Sequence, residues 1–451
     1  MNRFLASLSL GLVLVSGAAC NGRNDDAAAP TSTLTAASTA PSEATATSTS
    51  AATGAAPITY AQDGGSQTST SQAFAATVND RSAILVSNGG KFTATGATVT
   101  STGDTSSNDQ SSFAGLNAAV LATTGSAISL ANSSITTSGS GANGAFAYGS
   151  GSSVTLSKVA ITATGGGGHG VMATGGGTAT VSDLTVNTAG RNSAPLATDR
   201  GGGTIIATGG TYNSTGADSP PLYSTGTIVA ENIAGTGAAS EAAVIEGANS
   251  ITINNSTLRG ANKWGVLIYQ SMSGDAEGAR GLFTMTGGSL ATSVGPLFKV
   301  TNTTGIITLS EVKLEATSGT FLDASADSWG NSGSNGGHAE VTATAQTIAG
   351  NVLTDAISTV KLTLKNGSKL TGAIDSVNTA KNVTLTLDAA STWEVTADSH
   401  LTCLDVASGV SGGAVTNITG NGHTVYYDAA NCTALAGKTY TLVGGGTLQP
   451  E

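Results

Sequence analysis

Two irregular stretches hold most of the side chains in this sequence that could do chemistry. Residues 269–281, YQSMSGDAEGARG, supply Tyr269, Met272, Asp275, Glu277 and Arg280; residues 322–338, LDASADSWGNSGSNGGH, supply Asp323, Asp327, Trp329 and His338. Aromatic faces beside carboxylates, amides and a cation suit a sugar, because its apolar faces stack on Trp or Tyr while its hydroxyls need polar partners. Tyr269, Asp275, Glu277, Arg280, Asp323, Asp327, Trp329 and His338 therefore form the candidate ligand-binding set, and no catalytic residue is assigned.

The same residue types allow enzymatic alternatives. A polysaccharide lyase would use Arg280 or Lys263 as base, with Asp275, Glu277, Asp323 and Asp327 around Ca²⁺, the one cofactor these residues could take. A glycoside hydrolase would need paired carboxylates, for which Asp323 and Asp327 are candidates. Three cations, Arg259, Lys263 and Arg280, against at least four acids disfavour an anionic uronate substrate. A plainer alternative is that the two loops pack on each other, with Trp329 as their plug and Asp and Asn as turn-makers.

Other motifs are weaker. His169 in GGGGHG reads as a turn residue, the four His residues form no zinc pattern, and the Gly clusters lack the strand-to-helix context of a phosphate loop. Thr-x-Thr runs such as TATGATVTST raise the idea of a water-ordering or ice-binding ladder, although Thr also simply suits exposed strands.

The elements that must position these loops follow from composition and spacing. Of 451 residues, 4% are aromatic, 10% charged and 62 are Gly, so apolar burial has to come in small repeated increments. Apolar triplets from Ala119-Val120-Leu121 to Asn351-Val352-Leu353 recur at intervals of 22 to 31 residues, about 25 in most cases. Within each unit apolar residues alternate, as in ITI at 251–253 and FTM at 283–285, and Asn or Gly pairs separate the runs. Three short strands per unit of about 25 residues predict a parallel β-helix over residues 58–451, closed by a C-terminal capping region. A propeller blade needs about 40 residues, and the regular Val, Ile and Leu spacing opposes disorder. Both loops follow the same strand of the unit, so they are expected side by side.

At the N-terminus, residues 1–19 read as a signal peptide: a basic start, the apolar run 5–15 and small residues before Cys20. Cys20 is the candidate lipidation site, with plain secretion as the alternative. Residues 20–57, rich in Ala, Ser and Thr, are a flexible tether. Cys403 and Cys432 remain as an even pair, either a disulfide across one repeat or two buried thiols. The net charge of −11 and the lack of a basic cluster make nucleic acid an unlikely partner.

The strings GVLIYQSMSGDA, SWGNSGSNGG, LKNGSKLTGAI, STWEVTADSHL, GHTVYYDA and KTYTLVGGGTLQP, within residues 265–450, resemble exported bacterial right-handed parallel β-helix proteins described as adhesin-like. The resemblance implies that fold and a surface location, and transfers no catalytic residue. The expectation is a surface-anchored or secreted adhesin that meets a glycan or matrix ligand through its loops and a membrane only through lipid. Cys20→Ala is expected to release the protein from cells into the medium; continued retention in a fractionation experiment would contradict the lipid anchor.

Overall fold

A computed structural model describes residues 56–273, 276, 278–406 and 408–451. The expected signal peptide, Cys20 and most of the expected tether lie outside these residues, as do Asp275 and Glu277. From Tyr60 to Pro450 the chain winds as a parallel β-solenoid of about 15 turns, with about 25 residues in each.

One turn shows how the sequence makes the coil. Ala243–Glu246 is a strand of a 12-stranded parallel sheet; a left-handed Gly247 turns the chain, and Ser250–Gly260 runs in a second, 20-stranded sheet. That second strand bends at Asn255, φ 48°, so its two arms lie on different faces of the rod. Register places a left-handed residue at this bend in turn after turn: Asn132, Lys158, Asp183, Gly209, Asn232, Asn255, Gly287, Glu311, Ala345 and Asn366. Asn tolerates this geometry and Gly adopts it freely, which accounts for the Asn and Gly signals between strands. Gly288, just after the bend, is obligatory, because an added Cβ would lie 2.0 Å from the Ser256 carbonyl oxygen.

Each strand pairs with its equivalent in the next turn, for example Ile251 with Phe283 and Phe283 with Ile307. Inward positions stack into one continuous core, with Phe283, Phe298 and Phe321 edge to face at 5.5 and 5.6 Å beneath the inserted loops. Outward positions stack too: Thr252, Thr284, Thr308, Thr342, Thr363 and Thr386 form one file.

The 12-stranded sheet departs from simple alternation. Its outward residues Phe146, Met172, Ala197, Tyr223, Val244 and Leu267 are as buried as its inward ones and form a second apolar cluster. Helix Asn108–Ala114 lies against one end of it: Thr174 donates to the Phe113 carbonyl, Arg200 sits 4.1 Å from the Phe113 ring, and Gly115 abuts Leu121 and Phe146. Burial on both faces turns the strand into an apolar run whose register alternation cannot fix. The apolar triplets accordingly find the right strands but misalign some: Leu196 pairs with Val171, where triplet spacing pairs it with Met172.

The C-terminal end forms a third sheet of nine strands, finished by the antiparallel pair Tyr440–Val443 and Thr447–Pro450, which blunts the open edge of the stack. Cys403 and Cys432 form a disulfide here, Cα atoms 4.8 Å apart, closing a separation of 29 residues. In the chain-entropy account such a loop contributes roughly 3 to 4 kcal/mol.

His169 is more than a turn residue. It is fully buried, its Nδ1 accepts the Ala194 amide at 3.0 Å, its own amide donates to Asn143 Oδ1 at 2.8 Å, and burial pushes its pKa down to about 4. The unfolded ring titrates near 6.5, so between the two values the unfolded chain binds the extra proton. Stability is expected to fall by up to about 3 kcal/mol as pH drops through this window. In urea unfolding across that range, His169→Gln should lose this component; an unchanged slope would contradict the assignment.

Candidate functional site

The two insertions leave the 12-stranded sheet at the same phase of the coil, after Val266–Tyr269 and after Thr320–Ala324, with the turn through Phe298–Thr301 between them. They are neighbours, as their common position requires. Asn302 stitches both to that middle turn: its Nδ2 donates to the Gln270 carbonyl at 2.7 Å, and its amide to the Asn335 carbonyl at 3.0 Å.

Between the loops lies a cleft of about 440 Å³. Gln270, Met272, Gly278 and Ala279 line it from the first insertion, Asn302, Thr303 and Thr304 form its floor, and Ser334, Gly336 and His338 close it from the second. Met272 is 64% exposed and gives the cleft an apolar rim.

The aromatic pair expected to stack a sugar is instead inside. Tyr269 and Trp329 pack on each other at 4.8 Å between ring centroids, at 53°, and both join the outer cluster of the 12-stranded sheet. Tyr269 is fully buried and Trp329 is 6% exposed, so neither offers a face to a ligand. This is the plug arrangement, and its physical cause lies below: the Tyr269 hydroxyl donates at 2.8 Å to Glu246, the residue paired with it in the previous turn.

Glu246 is the centre of a buried network that the sequence reading missed. Tyr223 donates to the same oxygen at 2.7 Å, while Ser271 and Ser273 hydroxyls reach its other oxygen. Four hydroxyls thus solvate one carboxylate and hold residues 269–273 to the coil. A single Glu within the apolar run AAVIE was the available signal. Lys299, in the apolar stretch PLFKV, is a parallel case: its ammonium is buried and bonds Asp323 at 3.0 Å and Ser325 at 2.7 Å.

The remaining predicted residues divide by role. Asp323 is committed to Lys299, and it also accepts from Ser325 at 2.6 Å. Asp327 is exposed and accepts its neighbour's amide, from Ser328 at 2.6 Å, while Asn335 donates to the Asp327 and Trp329 carbonyls. Arg280 pairs with Glu340 at 2.7 Å on the surface, an interaction worth less than about 1 kcal/mol. Lys263 is paired with the buried Asp218. Among the described members of the set only His338 lines the cleft; its Nδ1 lies 3.0 Å from Thr359 Oγ1, and burial, aided by Lys381 and opposed by Asp355, pushes its pKa down. Asp355 pins the second insertion by accepting the Ala326 amide at 2.8 Å; hydrogen bonds hold its carboxyl below the usual range although burial opposes this. Among the described residues no three His, Cys, Asp or Glu side chains gather as a metal site.

No protein-family model matches the chain, and no curated protein matches it in sequence.

Trp329→Ala removes a side chain whose burial joins both loops to the coil, at an expected local cost of about 3 kcal/mol. Hydrogen exchange should quicken in residues 270–273 and 325–337 and stay unchanged in distant turns; unchanged exchange in the loops would contradict the plug role.

Proposed function

We propose that the chain is an exported, surface-held β-helical binding protein that takes a glycan or matrix component into the cleft between its two insertions. The observation that carries this reading is the cleft itself, a preformed concavity between two loops pinned to rigid turns and lined by amides, hydroxyls and one exposed Met. The groups a lyase or hydrolase would use favour binding over turnover. Lys263, Arg280 and Asp323 are each held in an ion pair, whereas a general acid or base needs open approach to its substrate. The apolar leader ahead of Cys20 and the tether that follows support a place outside the cytoplasm, anchored by lipid or secreted.

The purified protein should bind at least one polysaccharide or matrix component on a panel without producing new reducing ends or unsaturated products. Thr304→Trp, which fills the cleft floor, should weaken that binding at least about tenfold, or 1.4 kcal/mol, at unchanged melting temperature. Turnover of a polysaccharide would replace this reading with an enzymatic one, and binding indifferent to Thr304→Trp would place the site elsewhere.

A further inference from the structure

Several turns before the cleft, the corner that leads from the second sheet back to the 12-stranded sheet carries a file of backbone amides. Asn79, Asp104, Ser140, Gly166 and Arg191 each stand three residues beyond the mutually paired Ala76, Ser101, Thr137, Ala163 and Thr188. In the first turns each amide is taken by the side chain one turn below. The Asp104 N–H donates to Asn79 Oδ1 at 3.0 Å, and the Ser140 N–H to Asp104 Oδ1 at 2.8 Å. Beyond Ser140 the series stops. Ser140 offers its neighbour no acceptor and Gly166 has no side chain, so the Gly166 and Arg191 amides have no hydrogen-bond partner among the described residues.

A groove of about 210 Å³ opens at this point, between Ser140, Gly166 and Arg191 on the coil and Asn108 and Ser112 on the helix Asn108–Ala114. Ser140, Gly166 and Arg191 are exposed, so a ligand can reach them. Ser112 is 7% exposed, and its hydroxyl has no partner among the described residues. The coil side is rigid, because its turns touch through backbone alone. A Cβ added at Gly139 or Gly165 would lie 1.9 Å from the carbonyl oxygen of Gly103 or Gly139, one turn below.

The unspent amides are donors, and a cation stands beside them. The Arg191 guanidinium, 58% exposed, is held at one edge by Asp218 Oδ2 at 2.8 and 3.1 Å, and Asp218 is also paired with Lys263. Backbone amides in a concavity next to a cation favour an anion. Asp104 shows the kind, since its carboxylate already takes the Ser140 amide. Asp104 and the exposed Asp109 oppose a second carboxylate. The Arg191 amide, however, lies two turns or about 10 Å above the Ser140 amide, close to a Debye length. The remaining space holds about one sugar ring, bordered by the uncharged polar side chains of Asn108 and Ser112, which suit hydroxyls. We propose that this groove is a second site, independent of the cleft, that binds an acidic sugar. The sugar's carboxylate takes the Arg191 amide and the free edge of the guanidinium, and a ring hydroxyl takes the Gly166 amide.

The test titrates the full protein by calorimetry with galacturonate oligomers, with galactose oligomers of the same linkage and length, and with acetate. The uronates are expected to bind at least about tenfold more tightly than either, and to slow hydrogen exchange at residues 165–167 and 190–192. Ser140→Asn and Gly166→Asn continue the file of side-chain acceptors upward, copying Asn79 at its base. Gly166 has φ outside the left-handed region, and an added Cβ there would meet only the Arg191 carbonyl oxygen, at 3.8 Å, so the melting temperature should hold or rise. Each variant should weaken uronate binding at least about tenfold, whereas Thr304→Trp, in the cleft, should leave it unchanged. Equal binding of galactose oligomers overturns the carboxylate assignment, and equal binding of acetate overturns the sugar. Uronate binding that ignores both Asn variants, or that is lost in Thr304→Trp, overturns the location. Absence of uronate binding overturns the proposal as a whole while the cleft stands or falls on its own panel.

Discussion

Every feature of this protein depends on one constraint, that each turn's backbone must hydrogen-bond to the equivalent segment of the turns above and below. The constraint fixes a spacing of about 4.8 Å between like positions, so a side chain's main neighbour is its own counterpart one turn away. Small β-branched residues are sufficient inside such a stack, which is how a chain with 4% aromatic residues holds a continuous core. Extra residues can be tolerated only where the chain leaves the stack between strands. Two insertions at the same phase are thereby brought together on one side of the rod, and the site is a consequence of the repeat.

The 12-stranded sheet adds a second layer to this logic. Because its outer face is buried, a charged side chain on that face needs partners to offset its lost hydration. Glu246 gathers Tyr223, Tyr269, Ser271 and Ser273, and Lys299 gathers Asp323 and Ser325, each cluster placed where an insertion leaves the coil. These buried networks make the roots of the loops rigid. The cleft is formed by residues further out, Met272, Gly278 and Ala279 on one side and Ser334, Gly336 and His338 on the other. A pocket with rigid roots gives up less ordering entropy on binding than free loops would.

The fold was legible because alternation and period are backbone properties that survive variation in turn length. The juxtaposition of the two insertions was legible for the same reason. The roles within them were not, since burial of Tyr269 and Trp329 depends on a partner, Glu246, one turn earlier and 23 residues away. An aromatic residue and a carboxylate in a loop read alike whether they face solvent or each other. Gln270, Asn302 and Thr303 escaped notice because an amide or a hydroxyl is unremarkable in a chain rich in both. The Thr file was obscured by variable turn lengths, and only register reveals that Thr252 to Thr386 align, with Val229 and Ile206 continuing the file toward the N-terminus.

The central claim is that contact between Tyr269 and Trp329 couples the two insertions and so shapes the cleft. A double-mutant cycle with Tyr269→Leu and Trp329→Leu, read by the local opening free energy of loop amides in hydrogen exchange, addresses it directly. A coupling of about 0.5–1.5 kcal/mol is predicted from the aromatic contact. Additive effects, with a coupling near zero, would mean that the insertions are held independently and that the cleft is not a product of their packing.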